Sequence, residues 1–116
     1  MTDLIDRYLA MWNETDAGKC RALIDELFSA DASYVDPMAE ARRDAIDATI
    51  AAAQAQFPGF VFTQAAPVDG HHRQTRFTRG LGPEGAEPPV VGFDVTVTDE
   101  DGRITTVLGF LDQVPG

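Results

Sequence analysis

The spacing of apolar residues changes along the chain, from helical in the first half to alternating in the second. In residues 2–16, apolar side chains recur every three or four positions and fall on one side of a helix: Leu4, Ile5, Tyr8, Leu9 and Trp12. Residues 16–30 repeat this pattern after a break at 15–18 that suits a helix start. The spacing therefore predicts two helices that pack as a hairpin, and a third helix over residues 43–56 that ends at proline and glycine.

The second half of the chain has the pattern of a sheet. A short extended segment at residues 33–35 ends at Asp36, because the residue before Pro37 is pushed out of the helical region. Alternating segments predict strands over residues 60–66, 71–81, 90–98 and 104–112. Residues 80–89 are rich in glycine and proline and are predicted as a loop, and the Asp-Gly step within 99–102 suits a hairpin turn. Helices followed by antiparallel strands predict an α+β fold whose helices cover one face of a curved sheet.

The length, charge and cysteine content limit the class of protein. A chain of 116 residues is enough for a single domain over residues 1–116, which buries roughly 65% of its unfolded surface. One cysteine, Cys20, excludes an intrachain disulfide framework and a thiolate zinc site.

The net charge of −10 disfavours nucleic acid and anionic membranes, so a neutral or weakly acidic organic ligand is expected. The N-terminus lacks the basic flank and apolar stretch of a signal peptide or membrane span, which predicts a cytoplasmic protein.

Two polar residues are candidates for chemistry. Asp36 follows an apolar run, which would leave its carboxylate at the mouth of an element as a base. An aspartate before proline also serves as a turn or cap residue that accepts backbone N–H groups. Tyr8 lies one turn from Leu4 and Trp12, so its ring is expected on the buried stripe and its hydroxyl needs a partner there, which in an ordinary core is a backbone carbonyl. Both interpretations of each residue stay open.

Asp94 lies in the middle of a predicted strand. Simple alternation places Asp94 on one face and an apolar row on the other: Phe93, Val95 and Val97. If the apolar row is the buried one, Asp94 lies in water. Threonines share the face of Asp94, and such polar surroundings argue against a strongly raised pKa for this carboxyl.

The histidines and arginines of the predicted strand 71–81 do not indicate a special site. His71 and His72 are adjacent, so their side chains are expected to diverge and no metal site is predicted, although one of them could face a pocket as an auxiliary base. Arg73, Arg76 and Arg79 form a basic stripe, which we interpret as a solvated face or as partners of neighbouring acids. No nucleic-acid-binding surface is expected.

Four segments carry a resemblance to a known superfamily. They are Arg7-Tyr8-Leu9-Ala10 with Trp12-Asn13-Glu14-Thr15-Asp16, residues 28–37 (FSADASYVDP), Gly92-Phe93-Asp94, and Asp101-Gly102-Arg103-Ile104. Together with the order of elements, they resemble the nuclear transport factor 2-like superfamily over nearly the whole chain. Within it the nearest groups are the SnoaL-like proteins, which include polyketide cyclases, and the ketosteroid isomerases. The resemblance implies a cone-shaped, cystatin-like fold, in which three N-terminal helices and a curved antiparallel sheet enclose one hydrophobic pocket.

The resemblance also implies catalytic roles. Asp36 matches the aspartate before proline that acts as the general base of ketosteroid isomerases, and Tyr8 and Asp94 match the two donors of their oxyanion hole. In that register Asp94 faces the pocket and the apolar row covers the convex face of the sheet, which implies a homodimer through the sheet. Such proton transfer requires a placed base and placed donors, and it requires no cofactor or metal.

The expected pocket lining is aromatic with one histidine: Trp12, Phe57, Phe62, Phe77 and His72. Plain core packing is the alternative for the aromatic residues. The leading hypothesis is an enzyme that isomerises or cyclises a small hydrophobic carbonyl compound by proton transfer. The alternatives are a non-catalytic protein that binds a lipophilic ligand in the same pocket, and a protein-interaction domain that uses the convex sheet. Because one fold hosts many functions, kinship of fold does not choose among them.

Overall fold

The computed structural model describes residues 2–114, so the ends of the predicted domain, Met1 and 115–116, lie outside the described residues. In chain order the elements are α1 (Thr2–Asn13), α2 (Ala17–Leu27), β1 (Phe28–Asp36), β2 (Ala39–Arg42), α3 (Arg43–Gln56), β3 (Phe60–Gln64), β4 (Asp69–His71), β5 (Gln74–Pro83), β6 (Val90–Thr98) and β7 (Ile104–Gln113). None of the helices within these bounds is long and apolar enough to span a bilayer.

The strands form one curved, open sheet in the order β2-β1-β7-β6-β5-β3, with β4 paired to the end of β5. The three helices pack against it, so the predicted α+β fold is confirmed. The sheet is mixed, which differs from the antiparallel sheet expected. β1 runs parallel to β7, while the other pairs are antiparallel. A parallel neighbour is possible here because a long connection carries the chain from β1 round to β7.

The first strand is longer and begins earlier than predicted, and the second strand was not predicted. The helix predicted over residues 16–30 ends at Leu27, because Phe28 already has an extended backbone with φ −105° and ψ 146°. An apolar pair at a helix end fits either period, so the boundary was not visible in the pattern. Residues 39–42, for which no strand was predicted, form β2 and pair with β1 beyond the turn at Pro37.

The strand predicted over residues 71–81 begins only at Gln74, as β5, while residues 69–71 form a separate strand, β4. The two strands pair as a hairpin, and the turn between them holds His72 with φ 54°. The next hairpin was predicted correctly. β6 and β7 are joined across residues 99–102, where the carboxylate of Asp99 accepts the backbone N–H groups of Asp101 at 2.9 Å and Arg103 at 3.0 Å.

The core lies between the three helices and the concave face of the sheet. The helices bury Ile5, Tyr8, Ile24, Ile46 and Ile50, and the sheet buries Phe28, Phe77, Ile104 and Val107. Each of the large side chains in this set contributes roughly 1.5–3 kcal/mol by leaving water. The predicted buried stripe of α1 is therefore confirmed.

Two amide side chains hold the end of α1 in place. Asn13 Nδ2 donates to the carbonyl of Phe62 at 2.9 Å, and Asn13 Oδ1 accepts the N–H of Phe62 at 2.7 Å, which imitates the pairing of a strand neighbour. Gln54 of α3 donates to the carbonyls of Trp12 at 2.9 Å and Glu14 at 2.8 Å. The bonds from Gln54 satisfy carbonyls that the end of α1 leaves free. Together with the bonds of Asn13, they hold the rings of Trp12 and Phe62 with centroids 5.1 Å apart.

Replacing Asn13 tests this attachment. Asn13→Ala removes both hydrogen bonds and leaves the half-buried backbone groups of Phe62 without partners, so we expect the free energy of unfolding to fall by about 1–3 kcal/mol. Urea denaturation measures it. Gln64→Ala, an exposed position on the same strand, is the control and should change stability by less than about 0.5 kcal/mol. Equal effects of the two substitutions would contradict the attachment.

Candidate functional site

A cavity of about 610 Å³ lies between α3 and the concave face of the sheet. This volume is in the usual range for small-molecule sites. Three of the predicted lining residues, Trp12, Phe57 and Phe62, are on its wall. The wall formed by α3 consists largely of small side chains at helical spacing, among them Ala45, Ala48 and Ala52. Short side chains on this face of the helix leave the space open.

Two predicted lining residues are not part of the cavity wall. Phe77 is 1% exposed and packs edge-on against Tyr8, with ring centroids 5.6 Å apart, so it belongs to the core behind the cavity. His72 is exposed in the turn between β4 and β5. The prediction for His72 was wrong because the strand ends before it, and the alternation that would have turned it inward stops there. Among the described residues, no three His, Cys, Asp or Glu side chains are grouped to hold a metal ion.

The carboxylate of Asp36 is on the cavity wall and also closes the turn between β1 and β2. Its Oδ1 accepts the backbone N–H groups of Met38 and Ala39, both at 2.8 Å, and its Oδ2 accepts the hydroxyl of Tyr34. Both interpretations of Asp36 from the sequence, the turn residue and the carboxylate at the mouth of an element, therefore describe its position.

Tyr34 is a member of the site that sequence reasoning missed. It is 1% exposed, lines the cavity and donates to Asp36. Burial raises the pKa of Tyr34, and the nearby Tyr8 and the bond to Asp36 add to this effect, so its hydroxyl stays a donor. The available signal was the spacing of the two residues, because positions two apart on a strand share a face.

Asp94 is fully buried and faces the interior of the fold. Its Oδ2 accepts Nε of Arg79 at 2.9 Å, while its Oδ1 has no hydrogen-bond partner within residues 2–114. Thr96 is buried on the same face, and Phe93 and Val95 are half-exposed on the other. Asp94 therefore faces inward, as the resemblance implied, and the expectation that it lies in water was wrong. Strand alternation was correct, but the polar row is the buried one.

Arg79 is another residue whose position was predicted wrongly. Arg73 and Arg76 are exposed as expected, but the side chain of Arg79 is only 8% exposed and lines the cavity. It shares a strand face with the buried Phe77 and Leu81. That alternation of an apolar, a charged and an apolar residue was the signal for its inward direction.

The buried pair has mutually dependent charges. Burial raises the pKa of Asp94, and the guanidinium of Arg79 acts in the opposite direction. Burial lowers the pKa of Arg79, but the charge of Asp94 and the nearby Tyr34 raise it by more, so the net pKa is raised and the guanidinium remains protonated. Arg79 is thus a fixed cation on the wall of a mainly apolar cavity.

Two glycines make room for this pair. A Cβ atom at Gly92 would lie 2.7 Å from Cζ of Arg79 and almost equally close to both Nη atoms, so the flat face of the guanidinium lies against the backbone there. A Cβ atom at Gly109 would lie 2.7 Å from Oδ1 of Asp94 and 3.1 Å from Cβ of Asp36. The two aspartates therefore approach the same point of β7, and only glycine fits between them.

Tyr8 lies next to this group but inside the core. It is fully buried, and among the described residues its hydroxyl has no hydrogen-bond partner. The indole N–H of Trp12 is also buried without a hydrogen-bond partner among the described residues. Burial raises the pKa of Tyr8 well above its ordinary value, and the charge of Asp94 adds to this, while Trp12 acts to lower it. Tyr8, Asp36 and Asp94 thus lie in one neighbourhood, but only Asp36 is on the cavity wall. The catalytic roles assigned to the three residues stay predictions.

Comparison with known proteins decides the family. A sequence model of the SnoaL-like domain matches residues 5–107. The chain belongs to the SnoaL-like family. A protein of this family from Agrobacterium tumefaciens, named as an isomerase, is 37% identical to the chain, with a TM-score of 0.90 and 96% of each chain covered.

More distant structures share the fold of this SnoaL-like protein. A protein from Sinorhizobium meliloti named as a polyketide cyclase is 18% identical, has a TM-score of 0.71 and covers 92% of this chain and 93% of its own. A protein from Kribbella flavida named as a ketosteroid isomerase is 15% identical, has a TM-score of 0.70 and covers 98% of this chain and 78% of its own. No curated protein sequence matches the chain.

Proposed function

We propose that this SnoaL-like protein is a cofactor-independent enzyme that isomerises or cyclises a small hydrophobic carbonyl compound by proton transfer, with Asp36 as the base. The observation that carries the proposal is the carboxylate of Asp36 on the wall of a mainly apolar 610 Å³ cavity. The names of its structural relatives, an isomerase and a polyketide cyclase, are consistent with this chemistry. A cytoplasmic location is part of the same proposal.

The carboxylate of Asp36 retains room for a proton. A carboxylate has about four lone-pair sites, and Tyr34, Met38 and Ala39 occupy three of them, leaving one on Oδ2. In the proposed step the C–H bond beside the carbonyl breaks, an O–H bond forms on Asp36, and the electron pair becomes an enolate. Return of the proton to another carbon completes an isomerisation. Attack of the enolate on a second carbonyl, with the proton passing to the new alkoxide, completes a cyclisation.

Conversion of a β,γ-unsaturated ketosteroid to its conjugated enone tests the reaction by ultraviolet absorbance. Asp36→Asn keeps an acceptor for the hairpin turn and removes the base, so we expect kcat to fall by about 10²-fold or more while ligand binding persists. Asp31→Asn, at an exposed position on the same strand, is the matched control and should leave the rate unchanged. Equal rates for Asp36→Asn and the unmutated protein would contradict the role of Asp36.

A second candidate function is ligand binding without turnover. It is favoured by the three hydrogen bonds of Asp36, since a turn residue needs the same bonds when no chemistry takes place. If the protein only binds its ligand, it would bind the ketosteroid but convert none of it, whether or not Asp36 is replaced. The enone assay run beside a binding measurement therefore distinguishes the two functions.

We further propose that the convex face of the sheet forms a homodimer. Apolar side chains on this face are paired across β6 and β7, Phe93 with Phe110 and Val95 with Leu108. Phe110 is 56% exposed and Leu108 is 43% exposed. Large contiguous apolar surface of this kind is uncommon on monomers. A second copy would cover it symmetrically, as a two-fold interface requires. A different partner protein on the same face is the alternative.

Charge placed on this face tests the dimer. Phe110→Glu should convert a dimer to a monomer in sedimentation equilibrium, because two introduced carboxylates would face each other in an apolar interface. Met38→Glu removes another exposed apolar side chain, outside the sheet face, and should leave the dimer intact. An unmutated protein that sediments as a monomer would contradict the proposal.

A further inference from the structure

Arg79 presents charged N–H donors to the cavity that no side chain in the described part of the chain accepts. Within residues 2–114, its side chain makes one hydrogen bond, from Nε to Asp94. Arginine has five N–H groups, so the four on Nη1 and Nη2 remain. The side chain is 8% exposed and lines the cavity, so the exposed part of the guanidinium faces the space where a ligand would bind.

We infer that Arg79 binds the carbonyl oxygen of the ligand and stabilises the negative charge that forms there, an inference that rests on the proposed proton-transfer function. Charge-assisted hydrogen bonds are the strongest that a protein offers to an oxygen atom. An apolar cavity strengthens them, since water does not compete. Tyr8, the donor expected from the resemblance, has its hydroxyl in the core and is not part of the cavity wall.

The charges around Arg79 select a neutral ligand over an anionic one. Asp94 already balances the guanidinium, and Asp36 adds a carboxylate to the same wall. The whole chain carries a net charge of −10, which further disfavours an anion. During the reaction this balance changes in a useful way. When Asp36 accepts the proton it loses its charge, the enolate oxygen gains one, and Arg79 then faces the only new anion in the cavity.

Asp94 and Gly92 are positioning groups in this account. Asp94 holds Nε of Arg79 at 2.9 Å from beneath the cavity wall, and within residues 2–114 neither Nη atom donates to a protein group. The backbone at Gly92 supports the face of the guanidinium. A donor that is fixed before the reaction needs no rearrangement when charge develops on the ligand.

The test uses 2-naphthol, an apolar ring system whose oxygen ionises and resembles an enolate. Binding of 2-naphthol is measured in Asp36→Asn protein, because Asp36 is protonated and neutral when the enolate is present and asparagine imitates that state. Absorbance distinguishes bound naphthol from bound naphtholate and gives the pKa of the bound probe. We expect the pKa of naphthol bound to Asp36→Asn protein to lie below that of free naphthol, so that the protein prefers naphtholate. Adding Arg79→Lys to this variant should weaken the preference for naphtholate over naphthol about tenfold or more, because the cation remains beside Asp94 but the Nη donors are lost.

Arg76→Lys is the matched control. Arg76 is on the same strand, and its Nε also pairs with an aspartate, Asp69, at 3.3 Å, but it is 62% exposed and is not part of the cavity wall. This substitution should leave naphtholate binding unchanged. If Arg79→Lys fails to fold, the pair of substitutions Arg79→Gln and Asp94→Asn removes both charges together, and the same loss is expected.

Each result separates the inference from the proposed function, since naphtholate binding requires no turnover. No binding of 2-naphthol to Asp36→Asn protein would overturn the role of Arg79. An unchanged preference in Arg79→Lys, or a loss in Tyr8→Phe alone, would overturn it as well. An Arg79-dependent preference for naphtholate supports the role even if the ketosteroid assay shows no turnover, in which case only the proposed reaction fails.

Discussion

The buried ion pair between Arg79 and Asp94 is the interaction on which the concave face of the sheet depends. Both side chains are almost inaccessible to solvent, and their atoms lie 2.9 Å apart. Desolvation offsets most of the attraction in such a pair, so it adds little net stability, but removal of one partner leaves an uncompensated charge. The surrounding structure is fitted to both groups. Gly92 and Gly109 provide the space, and a larger residue at either position would displace the guanidinium or the carboxylate.

The pair also explains why β6 is reversed relative to an ordinary amphipathic strand. Its polar row, with Asp94 and Thr96, faces the interior, and its apolar row faces outward. This arrangement produces two different surfaces from one strand. On the inner surface, Asp94 holds the guanidinium of Arg79, which lines the cavity. The outer surface leaves Phe93 half-exposed beside Phe110, where another chain can cover both. The site and the proposed interface therefore share one structural cause.

The fold followed from the sequence more completely than the site did. The stripe of α1 and the Asp-Gly turn before β7 are local signals, and each reports its own surroundings. The position of β2 and the parallel pairing of β1 with β7 depend on contacts between distant segments, which no local pattern records. Asp36 was recognisable because the following proline marks the end of a strand.

Arg79 shows why the rest of the site was harder to predict. A charged residue is exposed in most sequences, and its neighbours Arg73 and Arg76 are exposed in this one. Only the presence of Asp94 on the adjacent strand makes its burial tolerable, and that partner is 15 residues away in the chain. The two residues had to be considered together. Considered separately, the charge of each residue predicts exposure, although Arg79 shares its strand face with Phe77 and Leu81.

A double-mutant cycle on this pair tests the central claim most directly. The unfolding free energies of Arg79→Met, Asp94→Leu and the double variant would be measured by urea denaturation. Each single substitution should destabilise the protein by about 3–5 kcal/mol, because it leaves one buried charge without a partner, and the double variant should be more stable than either. Additive losses, with the double variant the least stable of the three, would contradict the account.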